Sequence, residues 1–387
     1  MKKDWTIKKL GEVCEKIVDG SHNPPKGCDN SNYKMLSSKN IFNDEINFYE
    51  PRFLTQQQFE SENKRTNIAK GDVLVTIVGT IGRCCVYPFD ETVVFQRSVC
   101  VLKPKKDLID SRYLMFSIIS INLEKYGQGT AQKGIYLKQL SNIEILIPPL
   151  EEQKRIVAVL DKKFAQIETL KTAAEKNLQN AKQLFQAELE KAFSNTSWEK
   201  KTIQEICTLK SGNSSTNNSK PGTLPYVKVG DMTIVGNEKS ITTSTTFVDY
   251  KSNKKQVFPI GSVIFPKRGG AILTNKKRIT AVEICCDLNI MGVIPGEKIC
   301  PNFLYYYFIG IDFSKLCNGA AIPQINNIDI NPLEINLPPL EEQKRIVAHL
   351  DSLSEKVHQL EEIYTKQLAD CDELKQSLLQ KAFEGEL

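Results

Sequence analysis

The stretch from Ile147 to Asp161 reads IPPLEEQKRIVAVLD, and nearly the same letters, LPPLEEQKRIVAHLD, return from Leu337 to Asp351. The spacing of 190 residues holds elsewhere, because GDVLVTIVGTIGR from Gly71 falls on GSVIFPKRGGAIL from Gly261. Self-similarity at one fixed spacing is the signature of a repeated structural unit. The chain of 387 residues therefore contains two copies of one unit and has the length for more than one hydrophobic core.

After each Pro-Pro pair the apolar residues recur every three or four positions, which predicts a long amphipathic helix. The first apolar stripe comprises Val157, Leu160, Phe164, Ile167, Leu170, Ala174, Leu178, Ala181, Phe185 and Leu189. The second comprises Val347, Leu350, Leu353, Val357, Leu360, Tyr364, Leu368, Cys371, Leu374 and Leu378. Prolines just ahead of a helix and acids in its first turn are typical helix starts. We predict helices over 151–193 and 341–383, each roughly 65 Å long.

A helix of this length cannot bury its whole stripe within one small domain. We therefore expect the two stripes to pack on each other as an antiparallel coiled coil. Small side chains at Ala174, Ala181 and Cys371 would permit close approach of the helices. The alternative is that each helix only covers its own globular domain.

The segments 1–150 and 194–340, which we name head 1 and head 2, differ in kind from the helices. Short β-branched runs alternate with Gly, Pro and Asn, which predicts strands joined by turns. The most apolar window, 113–123, is too short to span a bilayer and predicts a buried helix. The sequence thus predicts an α+β fold with two mixed α/β heads, separated by helical segments at 151–193 and 341–387, in a pseudo-twofold internal repeat.

Charge is distributed unevenly between heads and helices. The heads contain 37 basic and 28 acidic residues, a net charge of +9, whereas the helical segments contain 14 and 18, a net charge of −4. This division favours a polyanion as the partner of the heads and a protein as the partner of the helices. The N-terminus lacks the apolar segment of a secretory signal, so we expect a cytoplasmic protein without a membrane partner. Three histidines and no C-x-x-C motif give little support to a metal site.

Basic loops with glycines occur at matching places in the two copies: FPKRGGAILTNKKR at 265–278, and TIVGTIGRCC at 76–85 with FQRSV at 95–99. Lys and Arg in such loops can contact phosphates, and Arg, Asn and Gln can bind base edges. The alternative is an ordinary solvated hairpin. The candidate DNA-contacting residues are His22, Asn23, Lys26, Thr80, Arg83, Gln96, Arg97 and Lys133 in head 1, and Lys228, Lys267, Arg268, Asn275, Lys276, Lys277, Arg278 and Gln324 in head 2.

Two motifs of nucleic-acid enzymes are incomplete in this chain. DGSHNPPK at 19–26 contains Asn-Pro-Pro, but Lys26 stands where an amino-methyltransferase has the aromatic residue that stacks on a flipped base. EEQK in both copies resembles the end of a metal nuclease pattern, but its acids are explained by a helix first turn. We expect neither methyl transfer nor nuclease activity in this chain.

Two different heads, each followed by PPLEEQKRIV and a long helix, resemble the specificity subunit of Type I restriction-modification systems. The likeness covers essentially the whole chain. It implies that each head is a target recognition domain that reads one half of a split site in double-stranded DNA. It also implies that the helices space the heads and dock two methyltransferase subunits, and that an endonuclease subunit joins the complex.

The resemblance further implies a non-catalytic chain with no cofactor of its own, since S-adenosylmethionine is expected on the methyltransferase subunits. The expected partner contacts are the repeated charges Glu151, Glu152, Lys154, Arg155, Glu341, Glu342, Lys344 and Arg345. Two other classes remain open at this point. One is a coiled-coil scaffold protein without nucleic-acid binding, and the other is an enzyme with an unrecognised site.

Overall fold

The computed structural model describes residues 4–129, 133–214, 222–317 and 322–387. These residues form two compact units. Unit 1 comprises Met1–Ala174 and Lys366–Leu387, and unit 2 comprises Glu175–Thr365. Each unit thus contains one head together with part of each long helix.

Head 1 is built of short strands and helices, as the alternation of apolar runs and turn residues predicts. Its strands are β1 (Thr6–Lys9), β2 (Cys14–Asp19), β3 (Tyr33–Leu36), β4 (Ile41–Phe42), β5 (Glu45–Ile46), β6 (Arg52–Leu54), β7 (Val73–Thr76), β8 (Cys84–Val86), β9 (Val94–Phe95), β10 (Val99–Pro104) and β11 (Glu144–Ile147). Its helices are α1 (Leu10–Val13), α2 (Gln56–Thr66), α3 (Ser111–Ser120) and α4 (Leu137–Ser141). The apolar window at 113–123 forms most of α3 and is buried from Tyr113 to Ile118, which confirms that prediction.

The first long helix, α5, spans Leu150–Phe193 and leads into head 2. The strands of head 2 are β12 (Glu199–Thr202), β13 (Cys207–Ser211), β14 (Leu224–Val227), β15 (Ser240–Ile241), β16 (Phe247–Val248), β17 (Val263–Pro266), β18 (Arg278–Thr280), β19 (Cys285–Cys286), β20 (Ile290–Pro295) and β21 (Glu334–Leu337). Its helices are α6 (Ile203–Ile206), α7 (Tyr250–Asn253), α8 (Pro301–Ile309) and α9 (Asn327–Ile330). The second long helix, α10, spans Leu340–Glu384.

The two heads share one sheet topology. The main sheet has the order β2-β10-β7-β8 in head 1 and β13-β20-β17-β18 in head 2, where β15 extends the edge. The smaller sheets have the orders β6-β3-β9 and β16-β14-β19, each with one parallel pair. In both heads the first strand pairs with the strand that precedes the long helix. The predicted internal repeat is therefore confirmed at the level of strand order.

The long helices run antiparallel within each unit. In unit 1, Arg155 donates to the backbone oxygen of Leu387 at 2.7 Å, and Lys171 pairs with Asp372 at 2.8 Å. In unit 2 the ion pairs are Lys182–Glu361 and Glu188–His349, at 4.0 and 3.4 Å. In both sets the residue number on α10, or in the three residues after it, falls as the number on α5 rises, as the sequence-based hypothesis of an antiparallel pair requires.

Four buried positions of α5 are seven residues apart: Leu160, Ile167, Ala174 and Ala181. This spacing is that of a coiled-coil seam. Leu170 lies outside the seam and is 47% exposed, and Leu374 of α10 is similarly exposed. Assigning these two leucines to the buried stripes was wrong, because a stripe of heptad spacing is narrower than the full set of apolar residues.

Ala174 provides a test of close packing in the seam. Its side chain is 1% exposed, so Ala174→Leu should lower the free energy of unfolding by about 1–3 kcal/mol through overpacking. The matched control is Ala173→Leu, the same chemical change at the adjacent exposed position. Urea unfolding monitored by circular dichroism would measure both variants. Equal midpoints for the two would contradict a closely packed seam at this position.

A buried glutamine ties the start of each long helix to its head. Gln153 is fully buried, and its side-chain amide donates to the backbone oxygens of Leu108 and Pro148 at 3.0 and 2.8 Å. Its side-chain oxygen accepts from the backbone N–H of Asp110 at 2.8 Å. Gln343 is bound in the same way in the second copy. The sequence analysis missed this role, although an uncharged residue repeated among Glu, Lys and Arg was a usable signal.

Candidate nucleic-acid interface

A glycine marks the corresponding end of the main sheet in both heads. A Cβ on Gly20, after β2, would lie 2.0 Å from the backbone oxygen of Phe95, and one on Gly212, after β13, would lie 2.0 Å from that of Asp287. No side chain fits at such distances. Each glycine lets its backbone lie directly against the backbone of a neighbouring segment, and this close contact holds the surrounding residues in place at the strand end.

In head 1 this strand end lies at a cleft of about 470 Å³. We name it the head 1 cleft and define it by its polar lining residues Asp19, His22, Arg65, Arg97, Gln128 and Tyr136. Asp19 is only 7% exposed, and its carboxylate accepts hydrogen bonds from the Arg65 guanidinium and from Nε2 of His22, the latter at 2.6 Å. The structure thus brings the predicted residues His22 and Arg97 together around a buried acid that sequence reasoning missed.

Backbone contacts place Gln96 and Arg97 beside the segment that carries His22. Ser21 and Gln96 form a parallel bridge, and the N–H of Arg97 donates to the oxygen of Ser21 at 2.9 Å. The Arg97 side chain is exposed. These three predicted residues therefore lie on one surface at the end of the main sheet.

The corresponding strand end of head 2 carries a different set of polar residues. We name it the head 2 cluster and define it by Ser211, Lys267, Arg268, Gln324 and Asn326. Lys267 Nζ donates to Ser211 Oγ at 2.8 Å, and Gln324 Nε2 donates to Asn326 Oδ1 at 2.6 Å. Arg268 forms a backbone bridge with Gln324. Burial and the adjacent Arg268 charge lower the pKa of Lys267.

Equivalent backbone hydrogen bonds show that the two sites occupy the same place in the repeated unit. Ile135 N donates to Ile77 O in head 1, and Ile325 N donates to Lys267 O in head 2, both at 2.9 Å. Head 1 thus has the apolar Ile77 where head 2 has a lysine. The scaffold is shared while the side chains at the strand end differ.

The other predicted residues of head 1 are more dispersed. The Arg83 guanidinium lies 5.0 Å from the ring centroid of Phe42, and Thr80 is exposed in the turn after β7. The oxygen of Lys133 accepts from Gly79 N at 3.5 Å, which places Lys133 beside that turn. Two further candidates, Asn23 and Lys26, are exposed in the loop after β2.

The predicted basic loop at 265–278 is largely ordered secondary structure, with a 3-10 helix at Gly269–Thr274 between β17 and β18. Lys277 is 1% exposed, and its Nζ donates to Asn275 Oδ1 and Ile311 O at 2.5 and 2.6 Å. It also lies 4.3 Å from the ring centroid of Phe313. The prediction that Lys277 contacts DNA is therefore wrong, because its ammonium group is enclosed by the head.

Two neighbours of Lys277 also serve the fold. Asn275 ends the 3-10 helix with a φ of 52°, and its Oδ1 also accepts from the backbone N–H of Phe313 at 3.0 Å. Arg278 is half-buried and donates to the backbone oxygens of Met232 and Lys277, at 3.2 and 2.8 Å. Asn275 Oδ1 and Arg278 Nε and Nη1 are thus engaged within the head. Of the other candidates of head 2, Lys228 is exposed and Lys276 is half-buried. Apart from Lys277, all the DNA contacts expected in head 2 stay predictions.

Burial gives Lys277 a testable pH dependence. It lowers the pKa of Lys277 from 10.5 to about 8. The unfolded chain then binds more protons between these values, so the contribution of Lys277 to stability rises with pH through this window. The unfolding free energy of wild type minus that of Lys277→Met should increase by about 2 kcal/mol from pH 7.5 to 9.5. Urea titrations at both pH values measure this difference, and a constant value would contradict the assignment.

The predicted partner-binding charges form a repeated pattern on the first two turns of each long helix. The ion pairs are Glu151–Lys154, Glu152–Arg155, Glu341–Lys344 and Glu342–Arg345, all between 2.7 and 2.8 Å. Their basic side chains are largely exposed. Two like surfaces are thus present, one in each copy.

Residues 2–179 and 195–368 each match the family described as Methylase_S, Type I restriction modification DNA specificity domain. The chain belongs to this family. Two such specificity domains in one chain give it a role in DNA sequence recognition, and the alternative of a coiled-coil scaffold without nucleic-acid binding is not favoured. The Type I specificity family also accounts for the resemblance carried by the repeated PPLEEQKRIV motif.

One relative of this specificity-domain protein matches it over nearly its full length, and another matches about a third of it. It is 24% identical to the putative type I restriction enzyme MjaX specificity subunit of Methanocaldococcus jannaschii, over 99% of this chain and 94% of that protein. It is 30% identical to the type I restriction enzyme EcoBI specificity subunit of Escherichia coli, over 35% of this chain and 30% of that protein.

Two solved structures share the fold of this specificity-domain protein. The first carries the description "Structural basis underlying complex assembly and conformational transition of the type I R-M system". Its TM-score is 0.80 at 21% identity, and the match covers 100% of this chain and 99% of that chain. The HsdS subunit from Thermoanaerobacter tengcongensis has a TM-score of 0.63, 21% identity and coverage of 100% and 98%. None of the helices in the described parts of the chain contains an apolar stretch of the length that a membrane span needs.

Proposed function

We propose that this chain reads a split site in double-stranded DNA, with head 1 contacting one half-site and head 2 the other. The observation that carries the proposal is the shared strand end with different polar residues in the two heads. A common scaffold with different side chains is what two different half-sites require, because base identity is read by donor and acceptor pattern. Basic side chains at the same surfaces can neutralise phosphates.

The proposed protein partners are two methyltransferase subunits, followed by an endonuclease subunit. The repeated ion pairs at the starts of α5 and α10 offer two like docking surfaces, and two copies of one partner require two like surfaces. In this proposal the chain itself is non-catalytic. S-adenosylmethionine would then be held by the methyltransferase subunits, and the long helices would space the two heads.

The test is sequence-specific binding by the complex assembled with its methyltransferase. The complex would be incubated with a DNA library and S-adenosylmethionine, and the methylated sequences would be read. We expect one motif made of two half-sites separated by a fixed gap. Methylation without any sequence preference, or a single undivided motif, would contradict the proposal. The chain without partner, studied by fluorescence anisotropy, would show how much of the affinity the heads provide alone.

A further inference from the structure

The head 1 cleft holds a histidine in a defined orientation. One oxygen of the Asp19 carboxylate accepts from the Arg65 guanidinium and the other faces His22 Nε2, while Arg65 Nε also donates to the backbone oxygen of Asp19 at 2.9 Å. An ionised carboxylate only accepts hydrogen bonds, so Nε2 of His22 must carry a proton. In the neutral imidazole the other nitrogen, Nδ1, is then an acceptor. More than half of the His22 side chain is exposed, so it is accessible to a ligand.

We infer that His22, oriented by Asp19, is a specificity-determining residue that accepts a hydrogen bond from the exocyclic amino group of adenine or cytosine in the half-site bound by head 1. The inference rests on the proposed function and assigns the base chemistry to one side chain. In the major groove the amino groups at adenine N6 and cytosine N4 are the only base donors, and thymine and guanine present acceptors there. An oriented acceptor in a cleft discriminates between these two kinds of edge.

Arg97 and Tyr136 complete the chemistry of the head 1 cleft. Arg97 is exposed and offers donors beside the His22 acceptor, as guanine O6 and N7 require. Tyr136 is 67% exposed on the same lining, where its ring can contact the methyl group on a thymine edge. A donor, an acceptor and an aromatic face thus converge in one cleft. Asp19 touches no base in this arrangement and acts as a positioning residue.

The described residues of head 2 do not form this arrangement, which makes the inference specific to one half-site. Gly20 N donates to Val99 O in head 1, and Gly212 N donates to Ile290 O in head 2, so Val99 and Ile290 correspond. Two positions before them, head 1 has Arg97 and head 2 has Leu288. The acid before the glycine in head 1 is replaced by Ser211 in head 2. A change at His22 should therefore affect one half-site only.

The test is His22→Ala in the complex assembled with the methyltransferase, read by sequencing of methylated sites from a randomised DNA library. We expect about a tenfold loss of preference at one base pair of one half-site, the scale of one hydrogen bond, with the other half-site unchanged. Relaxation at an A·T pair identifies adenine as the donor, and relaxation at a G·C pair identifies cytosine. The matched control is His358→Ala, which removes an exposed histidine paired with Glu362 on α10 and should leave both half-sites intact.

The possible failures are distinguishable. If wild type shows a split motif and His22→Ala keeps every base preference in it, the inference is overturned while the proposed function stands. Relaxation of both half-sites also overturns the inference, because it would show a general effect on the complex. If wild type shows no split motif, the proposed function itself fails. Since His22 is exposed, its variant should fold, and thermal unfolding of the variant and wild type verifies this.

Discussion

Replacing Gln343 with alanine is expected to lower the free energy of unfolding by about 3–5 kcal/mol. The fully buried Gln343 amide donates to the backbone oxygens of Lys298 and Pro338, and its oxygen accepts from the N–H of Cys300. Alanine would leave all three backbone groups buried without their partner. Each such group costs about 1–3 kcal/mol, and water entering the vacated space would recover part of that cost.

The matched control is Gln359→Ala, which removes the same side chain from an exposed site on the same helix. Gln359 Nε2 donates to Glu355 Oε1 at 2.9 Å, and loss of this surface contact should change stability by less than about 0.5 kcal/mol. Chemical denaturation with two probes, circular dichroism and tyrosine fluorescence, would compare both variants with wild type. Similar stability of the two variants would mean that Gln343 does not hold α10 to head 2. Gln153→Ala is expected to act in the same way on head 1.

Removal of the two positive charges of the head 2 cluster is expected to have the largest effect on DNA affinity. Lys267→Ala with Arg268→Ala should weaken binding of the assembled complex about tenfold or more at physiological salt. Each phosphate contact contributes about 0.9 to the slope of log affinity against log salt, so the slope should fall by roughly 1.8. Fluorescence anisotropy across a series of salt concentrations measures both quantities.

A control with the same change in net charge separates a local contact from a general electrostatic effect. Lys254 and Lys255 are exposed in the 3-10 turn Lys254–Gln256 of head 2, outside the head 2 cluster. Lys254→Ala with Lys255→Ala should leave most of the affinity and of the slope intact. An equal loss in both double variants would show that only total charge matters and would remove Lys267 and Arg268 from the interface.

The sequence by itself determined the features of this protein that depend on local pattern. A literal repeat at 190 residues predicted two copies of one unit, and a three-to-four periodicity predicted both long helices to within a residue or two of the observed ends. Strands such as β7 and β17 followed from short β-branched runs. These signals are readable because periodicity and chain breakers act over a few neighbouring residues.

Only the tertiary structure decided which polar side chains face solvent and which serve the fold. Lys276 and Lys277 are adjacent residues of the same type. Lys277 is nevertheless enclosed by Ile311 and Phe313, which lie more than 30 residues further along the chain. The pairing of Asp19 with Arg65 likewise joins residues 46 positions apart. Burial and hydrogen-bond partners depend on such long-range contacts, and no local periodicity encodes them. For this reason the sequence predicted basic heads and long helices, while the cleft around His22 and the buried glutamines became visible only once the chain was folded.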